Sequence, residues 1–323
     1  MLTYRLGAKG PEVARLQARL KELGHYPGPV DGDFGGGTSC AVRVFQKAAR
    51  LTPDGIVGPL TWEALFPREA LPWPAIYQEP LAYRCLALTG ALETGLALPE
   101  CFAAVTGDFD GQGLSLGALQ WNLGQGTLPP LLKRLNDRHP GRLQEIFDHR
   151  YPELLALLEA EQAEQLAWAR ALQDRRHRVV EPWRGLFKTL GRLPEFQRLQ
   201  VESAQPLFAA ALTRCRELGV WSERAAALLF DIRVQNGSLG RMVRAQLAAD
   251  FSRLRPALSQ EDREVARLRL IARRRAAAAH PRWAPDVLTR KLAIANGQGT
   301  VHGTYFHLAD QYGIRLEPWA AAG

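Results

Sequence analysis

The chain has 323 residues, 46% of them hydrophobic and 23% charged, with a formal net charge of +8. That length exceeds what one ordinary core needs, so two domains are expected. No apolar run of about 18 residues is present to serve as a transmembrane helix, and the positive balance suits an anionic partner such as nucleic acid, teichoic acid or lipopolysaccharide. Residues 1–10 carry Arg5 and Lys9 without an apolar stretch and do not read as a secretory leader. The expectation is synthesis in the cytoplasm followed by release to an extracellular substrate.

Gly10-Pro11 opens a first helix, because proline tolerates the first turn where its missing N–H has no partner to lose. Val13, Leu16, Leu20 and Leu23 form its apolar stripe, and Gly24 ends it. A second helix is expected from about Thr38, with Ala41, Val44, Phe45 and Ala48 inward. A third short one holds Trp62, Leu65 and Phe66. Asp31-Gly32-Asp33-Phe34-Gly35 leads to Thr38, and Asp54-Gly55-Ile56-Val57-Gly58 leads to Thr61. Both repeat an Asp-Gly turn, an apolar residue two places on, and a Gly and Thr at a helix start. With Leu16-Gln17, Tyr26-Pro27-Gly28, Phe45-Gln46 and Thr61-Trp62 in the same order, residues 1–67 resemble the peptidoglycan-binding domain 1 family. That resemblance implies a three-helix module that holds a protein on bacterial peptidoglycan, with the loop 25–37 the natural contact.

Pro67, Pro72, Pro74 and Pro80 make residues 68–80 a stiff linker, and Trp73, Ile76 and Tyr77 suggest that it docks rather than floats. Residues 81–323 then read as one larger, mainly α domain. Leu81, Cys85, Leu88 and Leu92 form one stripe; Leu154, Leu157 and Leu158, and Ala226, Leu229 and Phe230, belong to others. No alternating strands stand out. The break is residues 98–126, where glycines flank Asp108 and Asp110, and it reads as a small β-hairpin or loop inserted among helices. Arg263 to Arg275 is the densest basic cluster, but Val265, Leu268 and Ala272 interleave it at helical spacing. A solvated helix face is expected there, not a nucleic-acid surface. Cys40, Cys85, Cys101 and Cys215 lack C-x-x-C or zinc-ligand spacing, so reduced thiols are expected and neither a metal nor another cofactor is implied.

Glu93 falls where the helix from Leu81 should end, just before Gly95. A carboxylate there can be partly desolvated, as a general acid requires. Asp110 follows by 17 positions inside Gly107-Asp108-Phe109-Asp110-Gly111-Gln112-Gly113-Leu114-Ser115, a turn that keeps a carboxylate solvated and ionised. Two carboxylates in opposed environments are what glycosidases use. Asp108 and Glu100 compete with Asp110 for the second role. A calcium loop is excluded, because its twelfth position would be Leu119 rather than Glu. Gln120, Asn122 and Gln125 surround Trp121 and are candidates for sugar contacts; a core Trp under a turn is the alternative. Residues 296–303 form another Gly-rich turn, either an opposite cleft wall or a plain loop.

This arrangement resembles the glycoside hydrolase family 46 chitosanases and the wider lysozyme superfamily. Asp110-Gly111-Gln112-Gly113-Leu114-Ser115-Leu116-Gly117 follows the family's pattern, with Leu114 for its aromatic and Ser115 for its Thr. Phe230-Asp231-Ile232-Arg233-Val234-Gln235-Asn236-Gly237 resembles its second motif, with Asn236 for His. The resemblance implies Glu93 as acid, Asp110 as base, Ser115 as a hydroxyl that helps hold water, and inversion at the anomeric carbon. Apart from the resemblance, Asp108 is a candidate substrate contact; the resemblance also implies a buried charge network, for which Asp231 with Arg273 is the expected pair. Joined to the first domain, it suggests a monomeric, phage-type endolysin cutting the β-1,4 bond of the wall glycan. A lytic transglycosylase, a chitosanase or chitinase, and a non-catalytic wall-binding structural protein are the alternatives.

Overall fold

Helices dominate the computed structural model, which describes residues 3–319. In chain order they are α1 (Pro11–Glu22), α2 (Gly36–Ala48), α3 (Pro59–Leu65) and α4 (Leu81–Thr94). Three two-residue strands follow, β1 (Val105–Thr106), β2 (Ser115–Leu116) and β3 (Trp121–Asn122). Then come α5 (Leu128–Arg138), α6 (Arg142–Phe147), α7 (Tyr151–Glu159), α8 (Gln162–Ala171), α9 (Trp183–Arg192), α10 (Pro194–Leu218), α11 (Glu223–Asn236), α12 (Arg241–Ser252), α13 (Gln260–Ala277) and α14 (Ala284–Asn296). A hairpin, β4 (Gln298–Val301) and β5 (Thr304–His307), and a last helix, α15 (Leu308–Tyr312), complete the order. The fold is mainly α, as the sequence indicates. No helix among the described residues is long and apolar enough to cross a membrane. The chain divides into two units: one runs to Arg84 and adds Cys215–Leu228 and the residues from Ser238 onward, the other is Cys85–Arg214 with Leu229–Gly237. The single expected domain over 81–323 is therefore divided between both.

In the first unit, α1, α2 and α3 enclose a core of Val13, Leu16, Leu20, Phe34, Val42, Phe45, Val57, Trp62 and Leu65. Phe34 and Val57, the apolar members of the repeated turn, are fully buried as their spacing suggests. The repeat also has a feature its sequence did not advertise. Gln17 on α1 is buried and clamps the first Asp-Gly turn. Its amide donates to Asp31 Oδ1 (2.8 Å) and the Asp33 carbonyl (2.9 Å), and its Oε1 accepts from Gly32 N (2.8 Å). Gln46 on α2 does the same for the second, donating to Asp54 Oδ1 (2.9 Å) and the Ile56 carbonyl (2.9 Å) and accepting from Gly55 N (2.9 Å). α2 starts at Gly36, two residues before the expected Thr38, and its inward face is Thr38, Ala41, Val42, Phe45 and Gln46. Val44 and Ala48, expected inward, are exposed, and so is Leu23.

The linker docks, as expected. Ile76 is buried, the Tyr77 hydroxyl donates to the Ala309 carbonyl (2.7 Å), and the Arg315 guanidinium lies 5.6 Å from the Trp73 ring and 5.3 Å from that of Tyr77. β4 and β5, which the sequence reading missed, pair antiparallel from Gln298↔His307 to Val301↔Thr304. His302 and Gly303 make the two-residue turn, both at positive φ (50° and 80°), a geometry matched to the twist of hairpin strands. The expected basic helix face over 263–275 lies on α13, with Leu268 and Ala272 buried.

In the second unit the three short strands pair antiparallel, Val105↔Leu116, Thr106↔Ser115, Ser115↔Asn122 and Leu116↔Trp121. Leu114, Leu116 and Leu123 pack into a core with α5, α7 and α9 through Leu132, Leu158, Phe187 and Leu190. Along α4 every residue from Arg84 to Leu92 is buried, as for a helix enclosed on all sides. Cys85, Cys101 and Cys215 are buried free thiols, and burial pushes the Cys101 thiol up to about 12.

Candidate active site on the β1–β2 loop

Glu93 sits in the last turn of α4 and is exposed, rather than partly desolvated as its place at the helix end suggests. The helix stops behind it because Gly95 takes φ +69°, a left-handed value that costs a glycine little, and returns its N–H to the Ala91 carbonyl (3.0 Å). Three contacts fix the turns before Glu93. A Cβ on Gly90 would come within 2.7 Å of the Ala118 Cβ, so the helix touches the turn between β2 and β3 there without an intervening side chain. Thr89 Oγ1 donates to Asp231 Oδ1 (3.2 Å), both residues being fully buried. The Cys101 thiol donates to the Ala87 carbonyl (3.7 Å). Glu93 and the small sheet are thereby held together in one unit.

The two aspartates of the β1–β2 loop have opposed surroundings. The side chain of Asp108 is 7% exposed; Oδ2 accepts from Arg170 Nε (2.7 Å) and Oδ1 from Gly113 N (2.9 Å). The Arg170 hydrogen bond, and then that of Gly113, hold its carboxyl below the usual carboxylate range. Its own N–H donates to Gln173 Oε1 (2.7 Å). Asp110 is exposed, and its hydrogen bond is a local one that closes the turn, from Gln112 N to Oδ1 (3.2 Å). Asp108 is thus occupied in holding the loop, while Asp110 faces water. Glu100, the other competitor, is half-buried and forms a two-pronged pair with Arg192 (2.8 Å and 2.8 Å).

Ser115 lies on the central strand, 8% exposed, in register with Thr106 on one side and Asn122 on the other. Gln120 and Asn122 spend their amides on the hairpin. Gln120, at φ +55°, donates to the Gly117 carbonyl (2.8 Å) and accepts from Thr106 Oγ1. Asn122 Oδ1 accepts from Gln125 N (2.7 Å), and its Nδ2 donates to Gln125 Oε1 (3.3 Å). Of the three amides singled out in sequence, Gln125 is the exposed one. The expected pairing of Asp231 with Arg273 needs correction. Asp231 is fully buried, whereas Arg273 on α13 is exposed and so has no place in a buried charge network. The buried cations of α14 are Arg290 and Lys291, 1% and 0% exposed. Arg170 and Gln173 were not foreseen; no local pattern marks them, since their partners lie about sixty positions earlier.

Residues 9–65 match the family described as "Putative peptidoglycan binding domain". Over 75 residues the chain is 44% identical to the N-acetylmuramoyl-L-alanine amidase CwlM of Mycobacterium tuberculosis, covering 20% of this chain and 18% of that protein. It is 49% identical over 59 residues to the spore cortex-lytic enzyme of Bacillus cereus, covering 18% and 23%. The chain thus spans about a fifth of the length of these curated relatives. Among solved structures, a GH46 chitosanase of Gynuella sunshinyii in complex with chitotetraose superimposes with a TM-score of 0.45 at 15% identity, over 73% of this chain and 98% of that one. At that level the likeness assigns neither fold nor activity.

Proposed function

We propose that the protein is a peptidoglycan hydrolase that cuts the wall glycan with Glu93 as general acid and Asp110 as base. The observation that carries the reading is the union, in one chain, of a segment matching a peptidoglycan-binding family with two exposed carboxylates on fixed supports. Glu93 protonates the departing glycosidic oxygen. Asp110, open to water, draws the proton from a water that attacks the anomeric carbon, with the Ser115 hydroxyl orienting that water; the product is inverted. Asp108 and Arg170 hold the loop so that Asp110 keeps its place. The names of the relatives, an amidase and cortex-lytic enzymes, support a role in wall turnover, and the shared segment supports attachment to the wall.

The test is mass spectrometry of fragments released from purified sacculi by the wild type, Glu93→Gln and Asp110→Asn. The expected result is reducing muropeptides from the wild type and none from either variant, a loss of about a hundredfold or more in rate. Anhydro-ended products with Asp110→Asn still active would instead indicate a lytic transglycosylase. No release by the wild type, with binding intact, would leave a wall-anchoring protein.

A further inference from the structure

The loop that carries Asp110 is locked to the turn formed by residues 174–178. Gln173 accepts from the Asp108 N–H and returns its own amide to the Ala169 carbonyl (2.8 Å). Gly107 lies so close to the His177 carbonyl oxygen that no Cβ would fit there. What the two segments present outward is a pair of rings. Phe109 is 68% exposed, unusual for a phenylalanine. Its ring centroid is 5.7 Å from that of His177, itself exposed, with the planes at 55°. Phe109 is the immediate chain neighbour of Asp110. A β-linked pyranose offers a face of C–H bonds that suits the electron-rich face of such a ring.

The same turn carries unbalanced charge. Asp174 accepts from the backbone N–H groups of Arg176 (2.8 Å) and Arg178 (3.0 Å) and from the Arg178 guanidinium (2.9 Å). Those contacts, the Arg178 backbone first, keep its carboxyl ionised down to about 2. Arg178 is thus neutralised by Asp174, and Arg170 by Asp108. Arg175 and Arg176 are exposed, and no carboxylate among the described residues pairs with either. Two adjacent arginines with no carboxylate partner among the described residues, in the same turn as His177 whose ring meets that of Phe109, suit a polymer that is both saccharide and anion.

We infer that Phe109 and His177 seat a sugar ring of the strand to be cut, while Arg175 and Arg176 hold the carboxylates of its peptide substituents. The site would then take an anionic, peptide-bearing glycan and disfavour a cationic polyglucosamine. This rests on the glycan-cleavage reading above and names the substrate class of that site.

Titration calorimetry with two soluble probes tests it: a peptide-bearing muropeptide tetrasaccharide, and the same tetrasaccharide stripped of its peptides. The proteins are the wild type, the double variant Arg175→Glu/Arg176→Glu, Phe109→Ala and Phe109→Trp. All the altered side chains are exposed. Charge reversal is expected to weaken the peptide-bearing probe by about tenfold at low ionic strength, with the difference shrinking as salt is raised, and to leave the stripped probe unchanged. Phe109→Ala is expected to weaken both probes alike, and Phe109→Trp to keep wild-type affinity. In turnover on sacculi the same losses are expected in KM, with kcat maintained. Affinity for the peptide-bearing probe that is indifferent to charge reversal would overturn the inference, as would wild-type binding of a chitosan tetramer tighter than that of the muropeptide. A wild type that binds as expected but releases no fragments would count against the cleavage reading alone.

Discussion

Asp108 and Asp110 stand two positions apart on one loop, and their surroundings assign them opposite tasks. Asp108 is buried against Arg170 and the Gly113 N–H; Asp110 is exposed with one weak contact to its own turn. Asp110→Asn is therefore expected to abolish fragment release while the thermal midpoint stays within a degree or two of wild type, since exposed substitutions cost little. Asp108→Ala leaves the Gly113 N–H without its partner and should cost about 1–3 kcal/mol of stability, read by urea denaturation. Acid should act on the same contact. The folded-state pKa of Asp108 is depressed, so its stabilising contribution is complete above the unfolded value of about 3.9 and fades as pH falls below it toward the folded value. Asp108→Asn is expected to flatten the acid limb of the stability curve below about pH 4, and an unchanged limb would show that the Arg170 contact contributes nothing.

Among the elements, α4 depends on the absence of a side chain. Gly90 lets the helix rest on Ala118, and one turn later the helix delivers Glu93. Gly90→Val is expected to cost about 1–3 kcal/mol through overpacking and to lower kcat by shifting the helix end, with binding to sacculi retained. If kcat survives, the seating of α4 does not position Glu93. Gln46→Ala should release the Asp54-Gly55 turn, which hydrogen exchange at Gly55 and Ile56 would detect as lost protection. The two Asp-Gly turns were legible in the sequence because glycine and aspartate have local reasons to be there. Their glutamine clamps were not, since a buried polar residue at a core position only makes sense once its partners are placed; this is also why Gln46 holds an inward slot on α2 and Val44 does not. The same limit hid Arg170, Gln173 and His177 behind the loop of Asp110. The hairpin β4–β5 escaped because Gln298-Gly299-Thr300 lacks the β-branched alternation that marks a strand, although His302-Gly303 is a fitting turn.

At the scale of the chain, the residues just before the peptidoglycan-binding segment are tied to residues just short of the C-terminus. Thr3 Oγ1 donates to Asp310 Oδ2 (3.0 Å), Arg5 pairs with the same carboxylate, and the side chain of Asp310 is 4% exposed. His307 caps α15 by accepting the Asp310 N–H at Nδ1 (3.3 Å), which requires that nitrogen to be unprotonated. The residues that lead into the segment matching the peptidoglycan-binding family are therefore anchored at Asp310. A chain lacking residues 1–65 is expected to melt at lower temperature, because Asp310 loses its contacts with Thr3 and Arg5, a penalty of about 1–3 kcal/mol. Burial, with Arg5 and Arg224 adding to it and Asp310 opposing, holds the His307 pKa below 6.5. An unfolded histidine thus takes up a proton at a pH where the folded one resists it, so the stabilising contribution is full above about 6.5 and falls as pH drops through the folded value. Wild type is expected to lose thermal stability between pH 7 and 5.5 more steeply than His307→Asn, in which asparagine caps α15 without titrating. Parallel slopes for the two proteins would mean that the contact of Thr3 and Arg5 with Asp310 is insensitive to the charge on His307.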